Sequence, residues 1–141
     1  MAIEIDRSSA FGARVLRRLE DERIIWLTTG GTDGAPQPNP VWFLWTGERF
    51  LILSQPDRKI GNIERWNKVS LSLNTDAHGG DVVVFNGEAT LGQATDMPDE
   101  AKAEYVAKYE QGMKGLGMDA ETFQGTYSRL ITVTPTKLRG F

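Results

Sequence analysis

An α+β, mainly β domain, built as a six-stranded barrel with peripheral helices, is the fold this chain predicts. Three observations point to it. Short β-rich runs recur along the chain with turn residues between them. Helical spacing is confined to a few segments at the margins of those runs. The chain has 141 residues, 40% hydrophobic and 25% charged, enough for one sizeable core and too apolar for a disordered chain. A single domain spanning 1–141 is expected, with no repeat, linker or low-complexity segment.

The elements follow in order. Ser8 or Ser9 supplies the cap of a first helix that runs through Glu22, with Phe11, Val15, Leu16 and Leu19 on one stripe. Ile24 to Thr29 reads as a strand, and Thr32-Asp33-Gly34 as a hairpin turn. A second strand is predicted over Asn39 to Trp45 and a third over Arg49 to Ser54, joined by Thr46-Gly47-Glu48. A short helix from Arg58 to Trp66 crosses to a fourth strand, Val69 to Asn74. Ala77 to Gly80 is a loop, and Val82 to Leu91 a long strand with Gly87 as the place for a bulge. Asp96 to Glu100 opens a helix, with an acceptor, a proline and acids in its first turn. That helix carries Ala101, Tyr105, Tyr109 and Met113 at near-four spacing and is expected to fray over Gly112 to Gly117. The last strand, Arg129 to Leu138, contains Pro135, which suits an edge or a bend.

Composition excludes several kinds of function. There is no cysteine, which removes disulfides, thiolate catalysis and zinc ribbons. A lone histidine, His78, leaves too few soft ligands for an ordinary transition-metal site. The net charge of −3 argues against a general surface for nucleic acid or anionic membrane. Glu4 to Arg7 is charged, without the apolar segment of a leader, and no apolar run is long enough to span a bilayer. A soluble cytoplasmic domain is the expectation.

Two segments carry the candidate chemistry. Arg58 and Lys59 are adjacent bases in an acidic chain, and the plain alternative is an ordinary solvated loop. Ser54, Arg58, Lys59 and Asn62 together put a hydroxyl, a guanidinium, an ammonium and an amide at a helix start, a pattern suited to phosphate. Upstream, Pro36 to Phe43 forms a stiff, apolar strand edge able to lie along a flat ring, since Pro38 and Pro40 donate nothing to a ladder. Phe43 belongs to the core, whereas Trp42 faces the other way and either packs there too or walls a cleft. His78 in its glycine loop reads as exposed, and no acid–base dyad is visible. Any enzyme chemistry should therefore belong to a cofactor.

The Asp33-Gly34-x-Pro36 turn, the Pro40 to Phe43 strand and Arg58-Lys59-x-x-Asn62-Ile63, followed by Val83 to Ala89 and Thr134 to Phe141, carry a resemblance. Over most of its length the chain resembles the split β-barrel flavin and deazaflavin oxidoreductases related to pyridoxamine 5'-phosphate oxidase. It is most similar to the actinobacterial branch of coenzyme F420-dependent enzymes. The resemblance implies an FMN-binding split barrel that forms a homodimer, with the cofactor in a groove at the subunit interface. It implies that Ser54, Arg58, Lys59 and Asn62 hold the cofactor phosphate and that Pro40, Val41 and Trp42 lie along the ring. It further implies hydride transfer from reduced coenzyme F420 to a small electron-poor substrate, with FMN as the alternative cofactor and a non-catalytic carrier as the alternative role. The chain departs from the oxidase branch. It has no arginine within Val41 to Trp45 and no arginine–histidine cluster in Ser128 to Phe141, which argues against pyridoxine phosphate as substrate.

Overall fold

The computed structural model describes residues 3–141. In chain order it contains α1 (Ala10–Asp21), β1 (Ile25–Gly30), β2 (Pro36–Val41), β3 (Leu44–Trp45), β4 (Phe50–Ser54), α2 (Arg58–Arg65) and β5 (Lys68–Ser72). There follow β6 (Val83–Gln93), a 3-10 turn at Ala94–Asp96, α3 (Asp99–Gly115), α4 (Ala120–Thr126) and β7 (Arg129–Gly140). The strands form one sheet in the order β2-β1-β5-β6-β7-β4-β3, with every ladder antiparallel.

That order requires a rolled sheet. β2 and β3 are the two edges, yet only Trp42 and Phe43 separate them in sequence. Three peptide steps reach at most about 11 Å. Six strand spacings of a flat sheet would span about 29 Å. The sheet therefore curls until its edges nearly meet, and with no ladder joining them the barrel stays split.

Seven strands stand where six were predicted, because the expected strand over Asn39 to Trp45 is cut in two. Its break has a specific cause on α3. The Phe43 N–H donates to the Tyr109 hydroxyl at 2.8 Å, and the Phe43 carbonyl accepts from Tyr109 at 2.8 Å and from Lys108 Nζ at 3.0 Å. Both backbone groups are thus satisfied by side chains, and no neighbouring strand is needed. The first half also starts earlier than predicted, at Pro36. Pro36, Pro38 and Pro40 alternate along this edge strand and pair with Gly30, Thr28 and Trp26. Their missing donors fall on the side away from β1, which leaves an outer edge of carbonyls and discourages strand addition.

The remaining differences are local. The bulge falls at Asn86/Gly87 as expected, and a Cβ on Gly87 would lie 2.7 Å from Val133 Cγ1 and 2.8 Å from the Thr134 carbonyl. β7 is an interior strand, but its ladder with β4 ends at Phe50↔Val133, so Pro135 sits beyond the last bond on that side. α3 does not fray at Gly112 but continues to Gly115. A further helix, α4, which the sequence reading did not assign, is capped by Asp119 Oδ1 accepting from the Thr122 N–H at 2.7 Å.

Two cores result. Inside the barrel, Val15 and Leu19 of α1 and Ile60 and Ile63 of α2 join inward residues such as Ile25, Leu27, Phe50, Ile52, Phe85 and Val133. A second core gathers Leu51, Leu53, Tyr105, Tyr109, Met113, Phe123 and Leu130 beneath α3 and α4. β4 serves both, since all five of its residues are buried and alternate side chains enter opposite layers. No helix among the described residues is long and apolar enough to cross a membrane.

Candidate functional site

The segment after β4 organises the site. Ser54 is buried at the strand end, its hydroxyl donating to the Gln55 carbonyl at 2.8 Å. Asp57 then caps α2: Oδ1 accepts from the Lys59 N–H at 3.1 Å, and Oδ2 pairs with Lys59 Nζ at 2.6 Å. Asp57 thereby occupies the helix start on which the phosphate expectation rested, and it neutralises Lys59 from within the chain.

Across from this turn lies an aromatic wall. Trp42 stacks on Tyr109 with centroids 4.6 Å apart and planes 4° from parallel, and on Phe123 at 5.3 Å. Phe123 in turn stacks on Tyr127 at 4.3 Å. The Trp42 ring can lie against α3 only because position 112 is glycine, since a Cβ there would sit 2.8 Å from two indole carbons. Between this wall and the β4–α2 turn is a cavity of about 420 Å³. Pro40, Val41, Leu53 and Ser54 line it from the strands, Trp42 from the break between β2 and β3, Gln55, Asp57 and Lys59 from the turn, and Tyr105, Leu116, Phe123 and Tyr127 from the α3–α4 layer. The volume is that of a small-molecule site, and the lining mixes apolar walls with a few polar groups, as such sites do.

Of the residues singled out from sequence, five converge on this cavity: Pro40, Val41, Trp42, Ser54 and Lys59. Arg58 lines an adjoining hollow of about 480 Å³ with Pro36 to Asn39, and the two spaces share Asp57 and Lys59. Arg58 is exposed, and none of the ion pairs among the described residues involves it. Asn62 lines neither space. It is buried under α2, where its amide donates to Thr29 Oγ1 and Gln37 Oε1, each at 3.0 Å, and its oxygen accepts from Arg65. With donors and acceptor engaged, Asn62 braces α2 against β1 and β2 instead of facing a phosphate. Trp42 does wall the cleft, but by stacking on protein rings.

His78 is exposed in the Asp76–Gly80 turn, its N–H donating to Asp76 Oδ1 at 2.9 Å, and lines none of these spaces. That turn stays away from the cavity, whereas the segment after Lys114 supplies Leu116 and Phe123. Tyr105, Phe123 and Tyr127 were not singled out as site residues. Near-four spacing puts Tyr105 on one stripe with Tyr109, and the Phe123–Tyr127 pair is four residues apart after a capping Asp119, but nothing local reveals that Phe123 meets Trp42.

Electrostatics divide the two central tyrosines from the lysine beside them. Burial pushes the Tyr105 phenol up, reinforced by Tyr109, with the Leu53 backbone opposing. Burial likewise raises Tyr109, against a hydrogen bond from Phe43. Both remain neutral hydroxyls. Lys108 is lowered to about 8, first by burial and then by Arg23, with Asp21 and Glu22 opposing, and its ammonium sits 3.8 Å from the centroid of the Phe43 ring.

Comparison with known proteins places this geometry in context. A family model described as pyridoxamine 5'-phosphate oxidase matches residues 11–140. No curated protein sequence matches significantly. Among solved structures, an F420 reductase is 22% identical, with 87% of this chain and 94% of that one aligned at a TM-score of 0.64. An FAD-binding protein of Mesorhizobium loti aligns at 16% identity over 92% and 91% of the chains, TM-score 0.64. A haem storage protein of Vibrio cholerae aligns at 16% identity over 98% and 95%, also at 0.64. These likenesses are of fold.

Proposed function

We propose, from the premise that the chain belongs to the pyridoxamine 5'-phosphate oxidase family, that it is a cytoplasmic oxidoreductase using reduced coenzyme F420 to reduce a small electron-poor organic substrate. The observation that carries the reading is the convergence of Pro40, Val41, Trp42, Ser54 and Lys59 on one cavity of about 420 Å³. Pro40, Val41 and the edge of Trp42 would lie along the cofactor ring. Ser54 and Lys59 on one side and Arg58 on the other would hold its phosphate, with Asn62 fixing α2 beneath them. The bound cofactor would supply the hydride. The chain itself would position the ring and exclude water, since the charged groups lining the cavity are the mutually paired Asp57 and Lys59. A second copy is proposed to complete the groove. The exposed Trp26 and Trp66 favour such a partner, Trp66 lining an open dish with Gly30, Pro36 and Ser70. Sedimentation at the mass of one chain would remove that part.

The test is a fluorescence titration with oxidised F420 beside FMN at equal salt. Tighter binding of the deazaflavin supports the reading, and preference for FMN keeps the site but moves the chemistry to flavin. Binding without turnover toward any electron acceptor would favour a carrier. Lys59→Ala should weaken binding by about 1.5–3 kcal/mol, the scale of a charge-assisted hydrogen bond. Asp57→Asn keeps a capping side chain but frees Lys59, so it should tighten binding. If neither cofactor bound the wild type, the enzyme reading would fall.

A further inference from the structure

Two tyrosines one helical turn apart on α3 have opposite fates. Tyr109 is bonded to the backbone of Phe43 and Arg23. Tyr105, with its ring centroid 4.9 Å from that of Tyr109, is 1% exposed and lines the cavity; the Leu53 backbone lies near its hydroxyl, but no protein group makes a hydrogen bond of normal geometry to it. Buried hydroxyls are nearly always paired, because an unmade bond carries the full cost of desolvation. The indole N–H of Trp45 is also unpaired, but Trp45 packs against Phe50 and Phe85 and lines none of the described cavities. Tyr105 is the unpaired group that borders a space large enough for a ligand.

We infer that Tyr105 is a recognition residue, whose hydroxyl donates a hydrogen bond to a carbonyl oxygen or ring nitrogen of the planar heterocycle that fills the cavity. The inference deepens the proposed function and rests on its assignment of this cavity. On the α3–α4 side Leu116 and Phe123 are apolar and Tyr127 carries a second, half-buried hydroxyl, so Tyr105 is the fully buried donor that an acceptor on the ligand would meet there. The raised phenol keeps its proton across the physiological range and acts as a donor throughout. A ring lacking the acceptor would leave the hydroxyl orphaned, and sites built around a hydrogen bond discriminate strongly against such analogues.

Tyr105→Phe separates this role from a structural one. Without ligand, the variant should melt higher than the wild type by roughly 2–5 °C, since it removes an uncompensated buried hydroxyl and little volume. With oxidised F420 or FMN, whichever the wild type binds, the dissociation constant should rise about tenfold. A variant that melts lower without ligand would overturn the inference, because the hydroxyl would then have a structural partner. Unchanged affinity would overturn it as well. Failure of both cofactors to bind the wild type would remove the proposed function alone, and the ligand-free melting comparison would then decide the inference.

Discussion

The barrel interior and the α3–α4 layer are both buried, share β4, and are built to different ends. The interior is mainly hydrocarbon: Val, Ile and Leu side chains around Phe43, Phe50 and Phe85, with Phe50 and Phe85 packed edge-on at 5.0 Å and the Trp45 indole N–H the unpaired polar group beside them. The other layer buries phenols beside methionine and encloses a cavity on its β4–α2 side. Inside the barrel, contact among these side chains sets stability. Where the second layer leaves room, its polar atoms either hold the backbone, as Tyr109 does, or stay unpaired, as Tyr105 does. One protein thus keeps a close-packed half and a half with space in it, joined by a strand that faces both.

The largest expected effect tests this division directly. Phe50→Ala should cost roughly 3–5 kcal/mol in urea denaturation, because it opens a void in the dense half. Phe123→Ala should fall at the lower end of that range and weaken cofactor binding. Equal destabilisation, with binding unchanged, would erase the distinction. Next, Tyr109→Phe should cost about 1–3 kcal/mol by leaving the Phe43 N–H buried and unpaired. A neutral result would mean that the break between β2 and β3 has another cause.

Gly112→Ala sets two effects against each other. Helix propensity offers a gain of about 1 kcal/mol, whereas overpacking costs about 1–3 kcal/mol. The contact is with a stacked indole, so a small net loss of stability and weaker cofactor binding are expected. A stabilised variant with unchanged binding would show that Trp42 yields freely. The smallest effect is a pH dependence. Burial holds Lys108 at about 8 in the fold, below the 10.5 of a free lysine, so between those values the unfolded chain binds more protons. Stability from this residue should rise with pH through that window and be flat below it. Thermal melts of wild type against Lys108→Met from pH 7 to 10 check the sign, with the wild type gaining on the variant as pH rises.

Much of the barrel was legible residue by residue. The Gly87 bulge, the α2 start and the interior stripe of α1 each depend on neighbours a few positions away. The break at Trp42 and Phe43 was not legible, because its cause lies 65 residues further on at Lys108 and 66 at Tyr109. The same holds for the candidate site. Pro40, Val41, Trp42, Ser54 and Lys59 stood out from two nearby segments, whereas Tyr105 and Phe123 meet them only through packing. Asn62 shows the converse: its amide type fits a ligand as well as a brace, and only Thr29 and Gln37 decide between them.

Local chemistry settled where chains of alternating apolar residues become strands, where caps and glycines end helices, and that no cysteine or histidine cluster could do the work. Those outcomes follow from backbone sterics, side-chain period and composition, all short-range. The rolled closure of the sheet, the cavity between α3–α4 and the β4–α2 turn, and the bonding of Asn62 to Thr29 and Gln37 belong to the folded chain. Each depends on which distant side chains share a few ångströms of space, and that is fixed by packing the whole core at once.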